Sequence, residues 1–341
     1  MASAFCLCIF FTEYRWFSFK WDAFFDEIVC IKFGRDHFIV FYFVIDFFEY
    51  HGIGSMRQEL LKSIEQDGLL PPFPEIIRQL REMIEDPTTG MNEVAQVIQS
   101  DPVLTGRLIR LSNSVFGASA SFVVNDLNRA LGRLGLKMAM DLAYSLKIPS
   151  MFPNKAGFSY PDFWKYSLGL GVVASKLGEA RGLSKDEISH AYLGGLMRNT
   201  GVLLFVHLKT EVYKLLLDEG RKSLEGLDAI RMIRRAMQFE NLENKRFGID
   251  NAELAAAFIQ RWWKVDPEVL AYVQCRPKIV QNKTEHLVEI ARYVLWDAKV
   301  PDGILCPMVE MPPKLLEKFS IGEGLKQQLH SELKVAFQIM R

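Results

Sequence analysis

Histidine and cysteine, the residues that most often bind metals or act as nucleophiles, are few and scattered in this sequence. No two of the six histidines lie within four residues of each other, whereas a metal-binding pair on one helix face needs a spacing of three or four. The five cysteines include no Cys-x-x-Cys motif. We therefore expect free thiols in a reducing compartment, the cytoplasm.

A second place for chemistry is a polar turn inside the apolar stretch Ala191–Phe205. Arg198, Asn199 and Thr200 interrupt two apolar runs, and Gly201 follows them. A guanidinium in such a surrounding needs a carboxylate or a phosphate as its partner. The turn therefore predicts either an internal ion pair or a binding site.

The elements that must position this turn are helices. From Met56 onward the apolar residues recur at intervals of three and four, and alternation with period two occurs only within residues 37–48. Candidate N-caps and first-turn prolines recur along the chain at Pro74, Asp101, Pro102, Asn125 or Asp126, Pro161 and Ser184. The sequence predicts an all-α body.

Four segments resemble the HDOD family, bacterial signalling domains related to HD-type phosphohydrolases. They are Leu70–Pro74, Ser100–Leu108, Leu111–Ser114 and Ala130–Leu136, and they occur in the family's order at plausible spacing. The resemblance implies a two-lobed helical HDOD or HD-domain-like fold. We expect an N-terminal helical lobe at 56–150 and an HD-like helical lobe at 151–341.

The resemblance also locates the positions at which HD enzymes hold their metal ions. The usual ligands are replaced at four of them, namely Tyr166, Arg198, Asn199 and Asn251. A later pair of histidines falls near Gln274-Cys275. Arg198 is a permanent cation that repels a metal ion, and the two asparagines offer only weak carbonyl ligands. Without a metal there is no activated water, so we expect neither metal nor other cofactor and no catalysis.

The most direct interpretation is a non-catalytic signalling or regulatory module that acts by binding a partner protein, whose identity the sequence does not give. One alternative is a metal-dependent phosphohydrolase or cyclic-nucleotide phosphodiesterase of HD type. A second is a nucleotide or anion sensor that uses Tyr166, Arg198, Asn199 and Asn251 as a degenerate pocket. Against the sensor, Arg198 could pair internally, for example with Glu253 or Asp250.

Candidate interaction residues lie on the predicted fourth helix, at Arg107, Arg110 and Asn113, although exposed helix faces are often simply solvated. Lysine plus arginine equals aspartate plus glutamate, so the net charge is zero. A small basic patch includes Arg231, Arg234 and Arg235. This is too little for a nucleic-acid footprint, and we expect no nucleic-acid partner.

Residues 1–55 differ in composition from the rest, with 13 of the 25 phenylalanines. Their uncharged apolar runs, such as Phe38–Ile45, are far shorter than the roughly 20 residues that span a bilayer, so we expect no membrane span. Neither does the stretch have the pattern of a signal peptide. It could be an appended strand or helix, an interfacial membrane-touching segment, or non-native sequence preceding a true start at Met56 rather than Met1.

Overall fold

The computed structural model describes residues 55–66, 68–114, 123–153, 158–263, 265–274, 286–305, 307 and 309–338. Arg57–Arg341 forms one compact unit, and Met1–Met56 is a separate unit. The period-two segment at 37–48 and the aromatic stretch around it lie outside the described residues. The lobe boundary near residue 150 stays a prediction.

Every regular element in the described part of the chain is a helix, which confirms the all-α prediction. The first helices are α1 (residues 55–65), α2 (Glu75–Glu85), α3 (Met91–Gln99), α4 (Pro102–Ser114), α5 (Leu127–Leu134) and α6 (Leu136–Lys147), followed by a 3-10 turn at Ile148–Met151. The next are α7 (Tyr160–Ala180), α8 (Lys185–Met197), α9 (Thr200–Leu208), α10 (Thr210–Lys222), α11 (Ala229–Met237) and α12 (Phe239–Phe247). The last are α13 (Asn251–Trp263), α14 (Pro267–Val273), α15 (His286–Asp297), α16 (Pro313–Lys318) and α17 (Glu323–Gln338).

The capping residues begin the helices where the sequence predicts. The Asp101 carboxylate accepts from the amide of Leu104 at 2.9 Å, and Asp126 accepts from that of Arg129 at 2.9 Å. Ser184 and Glu187 form a reciprocal capping box at the start of α8. Each cap satisfies an amide that the helix itself leaves unpaired, so the helix start is fixed locally.

Two parts of the helix prediction need correction. The polar triplet Ser112-Asn113-Ser114, whose composition predicts the end of a helix at this point, belongs to α4. The Ser112 hydroxyl donates to the carbonyl of Ile109 at 2.8 Å. Helices α11 and α12 were not predicted. Asp228 caps α11 by accepting from the Arg231 amide at 2.9 Å, and the helix buries only a narrow apolar stripe.

At the centre of the fold, α7 packs on α8, α15 and α17, and α13 packs on α9. The α7–α8 contact is a backbone contact, because a Cβ on Gly195 would lie 2.8 Å from the carbonyl carbon of Leu170. Glycine therefore sets the short distance between these helices. No helix in the described ranges is both long and apolar enough to cross a membrane.

Candidate functional site

The polar turn between α8 and α9 lies against the first residue of α13. A Cβ on Gly201 would come within 1.9 Å of the carbonyl oxygen of Asn251 and 2.7 Å of its carbonyl carbon. Only a residue without a side chain can make this approach. Gly201 thereby brings the start of α9 against α13 and places Arg198 beside Asn251.

Arg198 is buried, with 2% of its surface exposed, and it is paired inside the protein. Its Nη1 donates to Asn251 Oδ1 at 2.9 Å, and its Nη2 donates to Glu240 Oε1 at 2.5 Å. The expectation of an internal partner is correct in kind but wrong in the partners suggested. Glu253 instead pairs with Arg57, and Asp250 accepts from the Glu253 amide at the start of α13.

A second guanidinium, that of Arg292 on α15, reaches the same carboxylate. Its Nη1 donates to Glu240 Oε1 at 3.0 Å and lies 3.6 Å from Glu289 Oε2. Burial disfavours the charge on Arg292, but Glu240 and Glu289 outweigh it and raise its pKa above the ordinary arginine value. Two cations therefore share one carboxylate oxygen at this site.

Below this pair, Glu243 joins α12 to α13. Its Oε2 accepts from the backbone amide of Asn251 at 2.8 Å and from Asn251 Nδ2 at 2.7 Å, and its Oε1 accepts from the Tyr213 hydroxyl at 2.7 Å. Burial raises the pKa of Glu243 to about 7, although these hydrogen bonds oppose the shift. Burial likewise raises the pKa of Glu289 to about 7, opposed by Arg292.

The other two predicted site residues are also buried. Tyr166 on α7 is 2% exposed and lies close to Arg292, and burial raises the pKa of its hydroxyl. Asn199 is 7% exposed, and its Nδ2 has no hydrogen-bond partner among the described residues. The structure therefore joins Arg198 to Asn251 directly and Tyr166 to them through Arg292. We call Arg198, Glu240, Arg292, Glu243 and Asn251 the buried polar cluster.

The buried polar cluster is a poor fit for a divalent metal ion. Metal ligands need free lone pairs, and Glu240 Oε1 already accepts from two guanidiniums, Arg198 and Arg292. Both guanidiniums also repel a cation. Within the described ranges, no three His, Cys, Asp or Glu residues converge in a way that could hold one. Cys275 lies outside the described residues.

Four charged residues around the site were not predicted from the sequence, namely Glu240, Glu243, Glu289 and Arg292. In each helix the two residues are three apart, but this spacing is also typical of solvated helix faces. Glu240 is 42 residues from Arg198 and 52 from Arg292, so no local pattern connects them.

The predicted interaction residues on α4 differ in their surroundings. Arg107 is partly buried, and burial lowers its pKa, as does neighbouring Arg110. Arg110 is exposed. Asn113 forms its hydrogen bonds within the protein. Its Nδ2 donates to the carbonyl of Val124 at 2.7 Å, and its Oδ1 accepts from the Val124 amide and from Arg133 Nη1, both at 2.9 Å. Asn113 therefore serves the fold, and the exposure of Arg110 and the partial exposure of Arg107 leave these two as the candidates for an interaction surface.

The two histidines near the central turn contact other parts of the fold. His190 lies 3.4 Å from Asp266, and His207 Nε2 lies 3.3 Å from the carbonyl oxygen of Leu69. His207 also meets Phe152 edge-on. Both side chains are therefore engaged in contacts within the fold.

Helical architecture and the turn before α9 together define an HD-like helical domain. Residues 70–278 match the HDOD domain family. The chain belongs to the HDOD family, which confirms the resemblance seen in the sequence.

Individual relatives are distant. The chain is 24% identical over 265 residues to an uncharacterized protein of Treponema pallidum (strain Nichols), an alignment that covers 77% of this chain and 48% of that protein. The chain thus spans about half the length of this relative.

Two solved structures share the fold. An HDOD domain protein of unknown function from Geobacter sulfurreducens superposes with a TM-score of 0.55 at 18% identity, covering 83% of this chain and 89% of that one. A protein from Shewanella amazonensis SB2B, named provisionally as a phosphohydrolase, superposes with a TM-score of 0.52 at 22% identity, covering 80% and 97%. At these identities the likeness concerns the fold alone.

Proposed function

We propose that this protein is a non-catalytic signalling or regulatory module, cytoplasmic and of bacterial type, that acts by binding another protein. The observation that carries the proposal is the Arg198–Glu240–Arg292 arrangement, in which Arg198 occupies one of the four positions that the family resemblance assigns to metal ligands. Hydrolysis of a phosphoester by an HD-type mechanism needs a metal-bound water. Fixed guanidiniums supply positive charge here, but they cannot bind and ionise a water in that way.

The buried polar cluster has a structural role in this proposal. It connects the α8–α9 turn, α12, α13 and α15 through hydrogen bonds between charged and polar groups. Charged groups buried together hold their helices in one arrangement, because separating them leaves unpaired charge in the interior. A rigid domain of this kind suits a protein that presents a surface to a partner.

For that surface we propose the exposed face of α4. Val103, Arg107 and Arg110 are spaced four and three residues apart and so lie on one side of the helix. Val103 is 61% exposed and supplies an apolar side chain beside the two arginines. An apolar contact flanked by guanidiniums fits a partner with an acidic rim.

The enzymatic alternative is tested by measuring metal and turnover in the same sample. The full chain is equilibrated with Mn²⁺ or Fe²⁺, desalted, and assayed for bound metal and for hydrolysis of bis(p-nitrophenyl) phosphate. We expect substoichiometric metal and no turnover above buffer. Stoichiometric metal together with turnover would refute the non-catalytic assignment.

The partner surface is tested by affinity capture from the native cell lysate with identification by mass spectrometry. A protein retained by the wild-type chain should be lost with Arg107→Glu/Arg110→Glu. It should be retained with the control Arg231→Glu/Arg235→Glu, which reverses two exposed charges on α11. Equal capture by all three chains would exclude this face of α4.

A further inference from the structure

A cavity of about 800 Å³ opens beside the buried polar cluster. Its walls come from α11, the start of α12, Tyr293 on α15 and α16, and Glu240 forms part of its lining. The volume falls within the range of small-molecule sites, roughly 300–1,000 Å³. The cavity is distinct from the degenerate pocket considered from sequence, since neither Arg198 nor Asn251 lines it.

The negatively charged groups around the cavity are already paired within the protein, whereas the positively charged groups can contact a ligand. Its two carboxylates are engaged, since Glu240 accepts from two guanidiniums and Asp250 accepts from Asn244 Nδ2 and the Glu253 amide, both at 2.9 Å. The cations Arg234, Lys314 and Lys318 are exposed and form no ion pair with any described residue. An incoming ligand therefore meets uncompensated positive charge, which favours an anion.

The walls of the cavity favour a ligand with a flat body. Ile233 and Met237 supply apolar surface from α11, and Tyr293 supplies an aromatic ring. The side-chain amides of Gln238 and Asn241 also line the cavity, and neither makes a hydrogen bond to another described residue. Apolar walls with a few unengaged amides suit a ring that carries hydrogen-bonding edges better than an aliphatic chain.

We propose that this cavity binds a nucleotide, with its base between α11 and Tyr293 near the amides of Gln238 and Asn241, and its phosphate at Arg234, Lys314 and Lys318. The ligand would lie against Glu240, the carboxylate that holds Arg198 and Arg292 together. A bound ligand would thus alter the surroundings of Glu240 and, through its ion pairs, affect the packing of the helices that the buried polar cluster joins. The proposal is independent of the partner surface on α4.

The test is isothermal titration calorimetry of the full chain with AMP and GMP at low salt. Guanosine, inorganic phosphate and decanoate serve as separate probes for the ring, the anion and an aliphatic anion. We expect at least one nucleotide to bind about tenfold more tightly than each of the three, since ring and phosphate contacts add. Its affinity should fall with added salt, because the phosphate contacts are exposed.

The variant Lys314→Glu/Lys318→Glu should weaken nucleotide binding by about tenfold or more, because it replaces attraction with repulsion. The matched control Lys185→Glu/Lys334→Glu reverses two exposed lysines elsewhere and should leave the affinity unchanged. Circular dichroism confirms that both variants remain helical. Absence of nucleotide binding at millimolar concentration, tighter binding of decanoate, or equal affinity in the two variants would overturn the proposal.

Discussion

Arg198 and Arg292 donate to one and the same oxygen, Glu240 Oε1, at 2.5 and 3.0 Å. Both guanidiniums lie in the interior, with 2% and 14% of their side-chain surfaces exposed. Two buried like charges repel each other, and an anion that contacts both compensates this repulsion. Glu240 therefore determines whether this part of the fold can tolerate two arginines.

Replacing Glu240 by glutamine keeps the shape of the side chain and removes its charge. We expect a loss of about 3–5 kcal/mol in the free energy of unfolding, since the change leaves two buried cations without their shared partner. Urea unfolding followed by circular dichroism measures it. The exposed Glu225→Gln serves as the control and should change stability by less than about 0.5 kcal/mol. Equal stability of the two variants would mean that Glu240 is not what holds the arginines.

A second prediction concerns Gly201, where an added Cβ would clash with the backbone of Asn251 at 1.9 Å. Gly201→Ala must push α9 away from α13, and we expect a loss of at least about 2 kcal/mol in unfolding free energy. Gly132→Ala is the matched control. It lies in α5, and its Cβ would meet nothing within 4 Å, so it should be neutral or stabilising by up to about 1 kcal/mol. Thermal or urea unfolding measures the stability of both variants. A destabilised Gly132→Ala together with a neutral Gly201→Ala would contradict the predicted clash at Gly201.

The structural features that could be predicted from the sequence are those determined by residues close together in the chain. Asp126 and Ser184 accept from amides three residues away, so the helix starts can be predicted from a few neighbouring residues. The position of Gly201 after a polar turn likewise predicts a close helix approach. These features gave the helical fold and the location of the turn.

The interior of the candidate site could not be predicted in the same way. Glu240 and Arg292 come from helices distant in sequence, and only the packing of α12 and α15 brings them to Arg198. The sequence suggested Glu253 or Asp250 as an internal partner, and both are close to Asn251 in the chain. The fold instead directs Glu253 towards Arg57 and commits Asp250 to the start of α13.

Asn113 gives a third prediction, which separates stability from partner binding. Its amide makes hydrogen bonds to both backbone groups of Val124 and receives one from Arg133. Asn113→Ala should lower the free energy of unfolding by roughly 1–3 kcal/mol, because it leaves buried backbone groups unpaired. Asn128→Ala, at an exposed position of α5, is the control and should be nearly neutral. Partner capture by the folded Asn113→Ala chain should match the wild type, and its loss would assign Asn113 to the interface instead.

The last prediction is a pH dependence of stability that arises from Glu243 and Glu289. Burial raises the pKa of each to about 7 from an ordinary 4.5, so between these values the folded state binds more protons than the unfolded state. The stabilisation is therefore full below pH 4.5 and is lost as the pH rises towards and through 7. Asp141, whose pKa burial raises to about 6, contributes in the same direction.

We accordingly expect the urea midpoint of the wild-type chain to fall between pH 5 and pH 8, with a loss on the order of 1–3 kcal/mol from each buried glutamate. Glu243→Gln cannot ionise, so its midpoint should fall less over the same range. Glu225→Gln alters an exposed carboxyl and should follow the wild-type curve. If the Glu243→Gln and wild-type curves ran parallel from pH 5 to pH 8, Glu243 would not titrate in this window, and the burial of its charge between Tyr213 and Asn251 would have to be tolerated at neutral pH.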